Sequence, residues 1–215
     1  MCGRFYLLDL FGLLMRFKLK LSPKIKPRYN IAPTQDIVAV INDGGYRVVH
    51  FRWGLIPFWS KKIVSGMINA RAETVEKKPS FKHSLQSKRC LIPANGFYEW
   101  KKEGNRKKPH RIFLKDETAF SFAGLWDSWI SPKGESINSC TIITTSANAL
   151  IEPIHNRMPV ILSEDAEKVW LNKNADIATL KGMLNPYPPE LMKSHEISTT
   201  VNNPRNDSPE VLNPL

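Results

Sequence analysis

Apolar residues along this chain recur mostly in short runs bounded by proline, glycine and asparagine. Alternation from Asp36 to Val40 and from Tyr46 to Trp53, with Asn42-Asp43-Gly44-Gly45 between them, predicts a β-hairpin. Leu91 to Pro93, Phe97 to Lys101, His110 to Lys115, Ala119 to Leu125 and Cys140 to Thr145 also read as strands, with Glu103-Gly104-Asn105 as a turn. Helical spacing is confined to Leu7–Phe17, Ser80–Ser87, Ser163–Leu171 and Asp176–Leu184. Ser163 is a suitable N-cap, and Glu164 and Asp165 complement the helix dipole. Asn185-Pro186 ends the last helix. Sixteen prolines and eleven glycines favour short elements, and the mixture predicts an α+β domain built on antiparallel strands.

Length and composition narrow this picture. A chain of 215 residues fits a single domain, 1–215, and buries roughly 70% of its unfolded surface. No apolar run approaches the roughly 20 residues of a membrane span. The stretch Leu7 to Leu21 comes nearest, but Asp9, Arg16, Lys18 and Lys20 break it and it lacks a small-residue cleavage site. It reads as a short amphipathic helix, and no membrane partner is expected. The three cysteines, Cys2, Cys90 and Cys140, have no CxxC spacing, which argues against a disulfide framework or a metal site. A cytoplasmic protein without cofactor is expected, nucleoid-associated if bacterial. Cys90 and Cys140 sit in apolar, strand-like surroundings and read as core. The net charge of +11 points to a polyanionic partner, nucleic acid before membrane. The lysines of Lys101-Lys102 and Arg106-Lys107-Lys108 fit either that role or plain solvation.

Cys2 follows the initiator methionine and is small enough for methionine removal. Removal would leave an α-amine and a thiol on adjacent carbons. With ordinary values of about 8 for the amine and about 8.5 for the thiol, both nucleophiles are expected to be partly available at neutral pH. An aldehyde would react with the amine to give an imine, which the sulfur closes to a five-membered thiazolidine. Position alone does not separate this reading from an incidental cysteine. A lipid anchor lacks the required signal sequence.

Four further segments carry chemistry. Met67-Ile68-Asn69-Ala70-Arg71-Ala72-Glu73 puts Asn69 and Arg71 on one side of an extended segment, suited to phosphate or sugar oxygens or to a locally bonded turn. In Asn95-Gly96-Phe97-Tyr98-Glu99-Trp100, alternation sends Phe97 and Glu99 to one face and Tyr98 and Trp100 to the other. A carboxyl beside Phe97 would be desolvated and its pKa raised toward the range useful for proton transfer. Ile154-His155-Asn156-Arg157-Met158-Pro159 combines imidazole, amide and guanidinium in one turn, with His155 a proton shuttle or a structural residue. Trp53-Gly54-Leu55-Ile56-Pro57-Phe58-Trp59, followed by Lys61-Lys62, would stack on unpaired bases if exposed and form a core corner if buried.

In this order the segments resemble the SOS-response-associated peptidase family, also described as abasic-site processing proteins. The matching residues are Met1-Cys2-Gly3-Arg4-Phe5, Arg28-Tyr29-Asn30-Ile31-Ala32-Pro33, Arg52-Trp53-Gly54-Leu55-Ile56-Pro57, Ile68 to Glu73, Phe97 to Trp100, Ile154 to Pro159 and Val201-Asn202-Asn203-Pro204-Arg205-Asn206. The resemblance implies a barrel-like, mainly antiparallel β core with a few flanking helices. It implies that Cys2, after loss of Met1, forms a thiazolidine with the ring-opened aldehyde of an abasic site in single-stranded DNA. By the same resemblance Asn69 would hold the N-terminal residue or the opened sugar. Glu99 and His155 would move protons, and β-elimination would follow if the adduct stays at the imine. Arg4, Asn30, Arg71 and Arg157 would contact DNA, and Trp59 would stack on or wedge between bases. A monomer without metal suffices for this chemistry.

Two other classes remain open from the sequence. One is a cysteine peptidase using Cys2 as an N-terminal nucleophile. The other is a passive single-stranded DNA-binding module, which leaves Cys2, Glu99 and His155 unexplained.

Overall fold

Five strands close on themselves through hydrogen bonds in the computed structural model, which describes residues 2–19, 25–61 and 66–215. Met1, Lys20, Leu21 and Lys62, named above, lie outside the described residues. The closed set is β3 (Asp36–Asn42), β4 (Tyr46–Trp53), β6 (Arg89–Ala94), β9 (Phe120–Ile130) and β10 (Ser136–Ser146). The ring runs β10-β4-β3-β6-β9 and back to β10, antiparallel throughout except for the β4–β10 pair. β12 (Ile161–Leu162) adds to β9, while β5 (Asn69–Arg71) and β11 (Arg157–Pro159) add to the end of β10. A second sheet has the order β13-β8-β7-β1-β2, from β1 (Phe5–Leu7), β2 (Arg28–Ile31), β7 (Gly96–Glu103), β8 (Arg106–Leu114) and β13 (Met192–Glu196). This is the α+β, barrel-like domain expected.

The chain passes from barrel to second sheet through one residue, Asn95, between β6 and β7. Its backbone N–H donates to the Tyr6 carbonyl (2.9 Å), and its Oδ1 accepts from Leu8 N–H (2.8 Å). One hydrophobic cluster spans both sheets, with Phe5, Phe97 and Ile112 packing on Trp53, Ile92 and Phe122. Cys90 and Cys140 are buried in it, as their surroundings predict.

Helices flank the barrel: α1 (Phe11–Arg16), α2 (Pro79–Ser87), α3 (Glu164–Leu171) and α4 (Ile177–Gly182). Ser163 caps α3 by accepting from Ala166 N–H, and Asp176 caps α4 by accepting from Thr179 N–H. The helix expected from Leu7 begins only at Phe11. Leu7 belongs to β1 because pairing with β2 and burial in the core outweigh its helical spacing. Arg16 joins α1 to α3 through Glu164 (2.8 Å) and the buried Glu167 (2.9 Å).

The C-terminal segment closes over the second sheet. Ile197, Val201 and Val211 pack on Tyr6 and Tyr98 in a separate small cluster. Its anchor is Asn30, which is wholly buried. The Asn30 amide donates to the carbonyls of Val201 (3.1 Å), Asn203 (3.0 Å) and Asn206 (2.9 Å), and its Oδ1 accepts from Arg4 Nη1 (2.8 Å). Asp207 in turn accepts from Asn30 N–H (2.9 Å) and pairs with Arg28. Removing the amide would strip the Asn206 carbonyl of its donor and Arg4 of its Asn30 Oδ1 acceptor, each loss costing about 1–3 kcal/mol, while the Val201 and Asn203 carbonyls keep Arg4 and the Asn206 N–H as donors. Asn30→Ala is expected to lower stability by about 2–4 kcal/mol in urea unfolding; a loss under about 0.5 kcal/mol would show the anchor to be dispensable.

Candidate active site

The N-terminal strand sets the position of Cys2. In β1, Phe5 pairs with Phe97 and Tyr6 with Gly96 of β7, and Tyr98 N–H donates to the Arg4 carbonyl (2.9 Å). The pairing therefore runs back from Phe5 toward Cys2 on one strand and forward toward Glu99 on the other. Phe5 holds the strand inward, its ring edge-on to Trp53 (5.2 Å) and Phe122 (5.8 Å). Cys2 is completely buried. Burial, with the Glu99 carboxylate adding to it, pushes the Cys2 thiol far above its ordinary value. The expectation of a partly ionised thiol belongs to the chain after loss of Met1; with Met1 still joined to Cys2, burial favours the neutral thiol. In this environment the sulfur is a neutral S–H.

Glu99 behaves as its neighbours predict. Phe97 belongs to the main core while Tyr98 belongs to the small cluster on the opposite face, with Trp100 packed beside it. Glu99 shares the side of Phe97, is 3% exposed, and has its pKa pushed up to about 7 by burial. It is therefore close to half-protonated at neutrality. His155 opens into the same groove, a concavity of about 620 Å3 lined also by Trp100, Lys102, Lys107 and Asn202. The backbone N–H of Arg157 donates to His155 Nδ1 (3.0 Å), so the neutral ring carries its proton on Nε2. Burial holds the His155 pKa below its ordinary value, making it a base rather than a cation at pH 7.

Asn69, Arg71 and Arg157 gather at the end of β10. Thr144 pairs with Arg71 on one side and Pro159 on the other. Arg157 holds the two flanking segments together: its guanidinium grips Glu73 through both oxygens (2.5 and 3.0 Å) and donates to the Thr144 carbonyl (2.6 Å). Asn69 donates its amide to the Ile68 carbonyl, while its buried Oδ1 has no donor among the described residues. Arg71 is exposed and faces outward.

A profile of the family described as "SOS response associated peptidase (SRAP)" matches residues 1–204. The chain belongs to this family. The "Abasic site processing protein YoqW" of Bacillus subtilis (strain 168) is 49% identical over 221 residues, covering 99% of each chain. The "Abasic site processing protein HMCES" of Xenopus tropicalis is 33% identical, over 89% of this chain and 67% of its own. A crystal structure of a protein from Bacteroides thetaiotaomicron superposes with a TM-score of 0.91 over the full length of both chains, at 29% identity.

Within this SRAP domain the residues expected to touch DNA divide by exposure. Asn30 is sealed in the interior and offers no surface to a strand, so its place is structural. Arg4 is half-buried, with Nη1 given to Asn30 and to the Val201 carbonyl (2.6 Å) and its guanidinium over Trp100. Arg157 is mostly covered by its pairing with Glu73.

Trp59 and Phe58 are half-exposed at the tip of the aromatic loop, whereas Trp53, Leu55 and Ile56 are buried at its base. The loop is thus a core corner at its base and open at its tip. At the base, Leu55 and Met67 exchange backbone hydrogen bonds (3.0 Å each). The crossing leaves no room for a Cβ on Gly66, which would lie 2.0 Å from the Gly54 carbonyl oxygen. The buried Asp127 steadies the tip by accepting from Phe58 N–H (2.8 Å) and Lys88 (2.6 Å). The acid between Trp126 and Ser128 in an apolar strand was the signal for it. Lys102 and Lys107, which line the groove, belong to the basic clusters read above as fitting a polyanion or plain solvation. Asn202 comes from the tail segment, whose own sequence carries no sign of a place in the groove.

The raised pKa of Glu99 has a definite sign. The folded state holds this proton more tightly than the unfolded chain, so its contribution is present below about pH 4.5 and is lost as pH rises to about 7. Relative to Glu99→Gln, the wild-type protein is expected to lose roughly 3 kcal/mol across that window, measured by urea unfolding at several pH values. Parallel curves for the two proteins would contradict the buried, proton-holding carboxyl.

Proposed function

We propose that this protein processes abasic sites in single-stranded DNA by capturing them covalently on Cys2 after Met1 is removed. The observation that carries the reading is the pairing of the buried Cys2 thiol with a carboxyl titrating near 7, beside a groove that also holds a neutral imidazole. Relatives named as abasic site processing proteins support it.

The steps follow from the protonation states. The Cys2 α-amine adds to the ring-opened aldehyde, and Glu99 in its acid form protonates the departing hydroxyl, releasing water and leaving an imine. The neutral thiol then adds across the C=N bond. Sulfur bonds to carbon, and the thiol proton reaches nitrogen by way of the Glu99 carboxylate. The product is a thiazolidine, and the only loss is one water. A thiol kept as S–H is suited to this order, since the amine must act first. The Asn69 Oδ1, lacking a donor among the described residues, would accept a hydroxyl of the opened sugar. If ring closure is slow, a base such as His155 can remove the proton next to the imine carbon and expel the 3′ phosphate.

Incubation with an abasic oligonucleotide is expected to give an intact mass equal to protein plus DNA less one water, with Met1 absent. Cys2→Ala is expected to give at most a hydrolysable imine, and a form retaining Met1 no adduct. Glu99→Gln should slow capture about 100-fold. Full yield of the stable adduct from Cys2→Ala would refute the mechanism.

A further inference from the structure

The hairpin formed by β7 and β8 carries two cross-strand lysine pairs, and they are treated differently. Lys101 lies opposite Lys108, and Lys102 opposite Lys107. The first pair is neutralised: Glu103 accepts from Lys101 (2.8 Å) and Lys108 (3.0 Å), and Glu196 lies 3.4 Å from Lys108. Among the described residues, Lys102 and Lys107 have no ion-pair partner. Both are exposed, and both line the groove that contains Glu99 and His155. Like charges directly opposite on a sheet repel and destabilise the pairing. That juxtaposition is unfavourable in the empty groove and favourable once an anion sits between the ammonium groups.

We propose that Lys102 and Lys107 form a seat for one internal phosphodiester of the strand that carries the lesion. The assignment rests on the proposed function for the identity of the anion. Alternation places Trp100, Lys102, Lys107 and Pro109 on one face of the hairpin and Glu99 with Lys101 on the other, and the groove that Glu99 lines at the strand is lined also by Trp100, Lys102 and Lys107. Lys102 is three residues from Glu99, about 10 Å along the strand. A phosphate held there fixes the direction in which the strand leaves the captured sugar. Trp100 forms the wall between, its Nε1–H donating to Asn202 (2.7 Å).

The test uses an oligonucleotide with an aldehyde-free abasic analogue, so that binding is read without covalent chemistry. For Lys102→Gln/Lys107→Gln, the slope of log affinity against log salt is expected to shrink by about 0.7, the value for one single-strand phosphate. Affinity at low salt should fall about ten-fold. Lys101→Gln, on the neutralised face, should keep the wild-type slope. A single neutral methylphosphonate, moved along the strand, should weaken wild-type binding at one linkage beside the lesion and make no difference there to the double variant. Lys107→Glu should bind DNA more weakly while its Tm rises, because an opposite-charge pair replaces a like-charge one.

An unchanged slope with unchanged sensitivity at every linkage would overturn the seat. Sensitivity that follows a terminal phosphate rather than an internal linkage would overturn the assignment to a phosphodiester. If the slope falls as expected but wild type forms no adduct with a genuine abasic strand, the capture mechanism fails and the anion seat stands.

Discussion

A three-residue strand cannot hold a chain terminus inside a protein by backbone pairing alone, and everything at this site depends on that being done. β1 is held by three devices acting together. Phe5 is driven into the barrel against Trp53 and Phe122, where burial of one such ring contributes about 2–3 kcal/mol. Tyr6 packs on Tyr98 on the opposite face. Between them, Arg4 is fixed by Asn30 Oδ1 and by the tail, which the same asparagine holds in place. Together they keep Cys2 enclosed, and with it the burial that raises the thiol's pKa.

Burial of this kind is also what gives the site its chemistry. Cys2 and Glu99 are two acids in a medium that solvates charge poorly, so ionising either raises the cost of ionising the other. Near neutrality the pair prefers to keep its thiol proton and to divide its carboxyl between acid and base. That division suits a sequence of additions and eliminations in which the same group must give a proton and take one back. Neither residue would behave this way at the surface.

The local rules were legible where they had local causes. Alternation alone placed Phe97 and Glu99 on one face, and with it the desolvation of the carboxyl. Ser163 and Asp176 cap the helices their neighbours predict. Leu7 was misread because the apolar run from Leu7 to Leu21 has helical spacing, and only the distant strand β2 decides that its first part is extended. Asn30 was misjudged for a related reason. An asparagine between tyrosine and isoleucine carries no sign that its partners lie more than 170 residues away. β13 went unread because Lys193, Ser194, His195 and Glu196 carry no apolar alternation on this edge of the sheet.

The long reach of Asn30 bears on timing during synthesis. The N-terminal residues leave the ribosome first, yet the contacts that seal β1 involve β7 and carbonyls from Val201 to Asn206. At roughly 5–20 residues per second, some 10–40 s pass before those carbonyls have been made. Throughout that interval those contacts cannot enclose the first residues, and any enzyme acting on nascent chains would meet them in the open. The N-terminal segment is thus open while the chain grows and enclosed once the C-terminal carbonyls are in place, so the order of manufacture itself sets when Cys2 becomes buried.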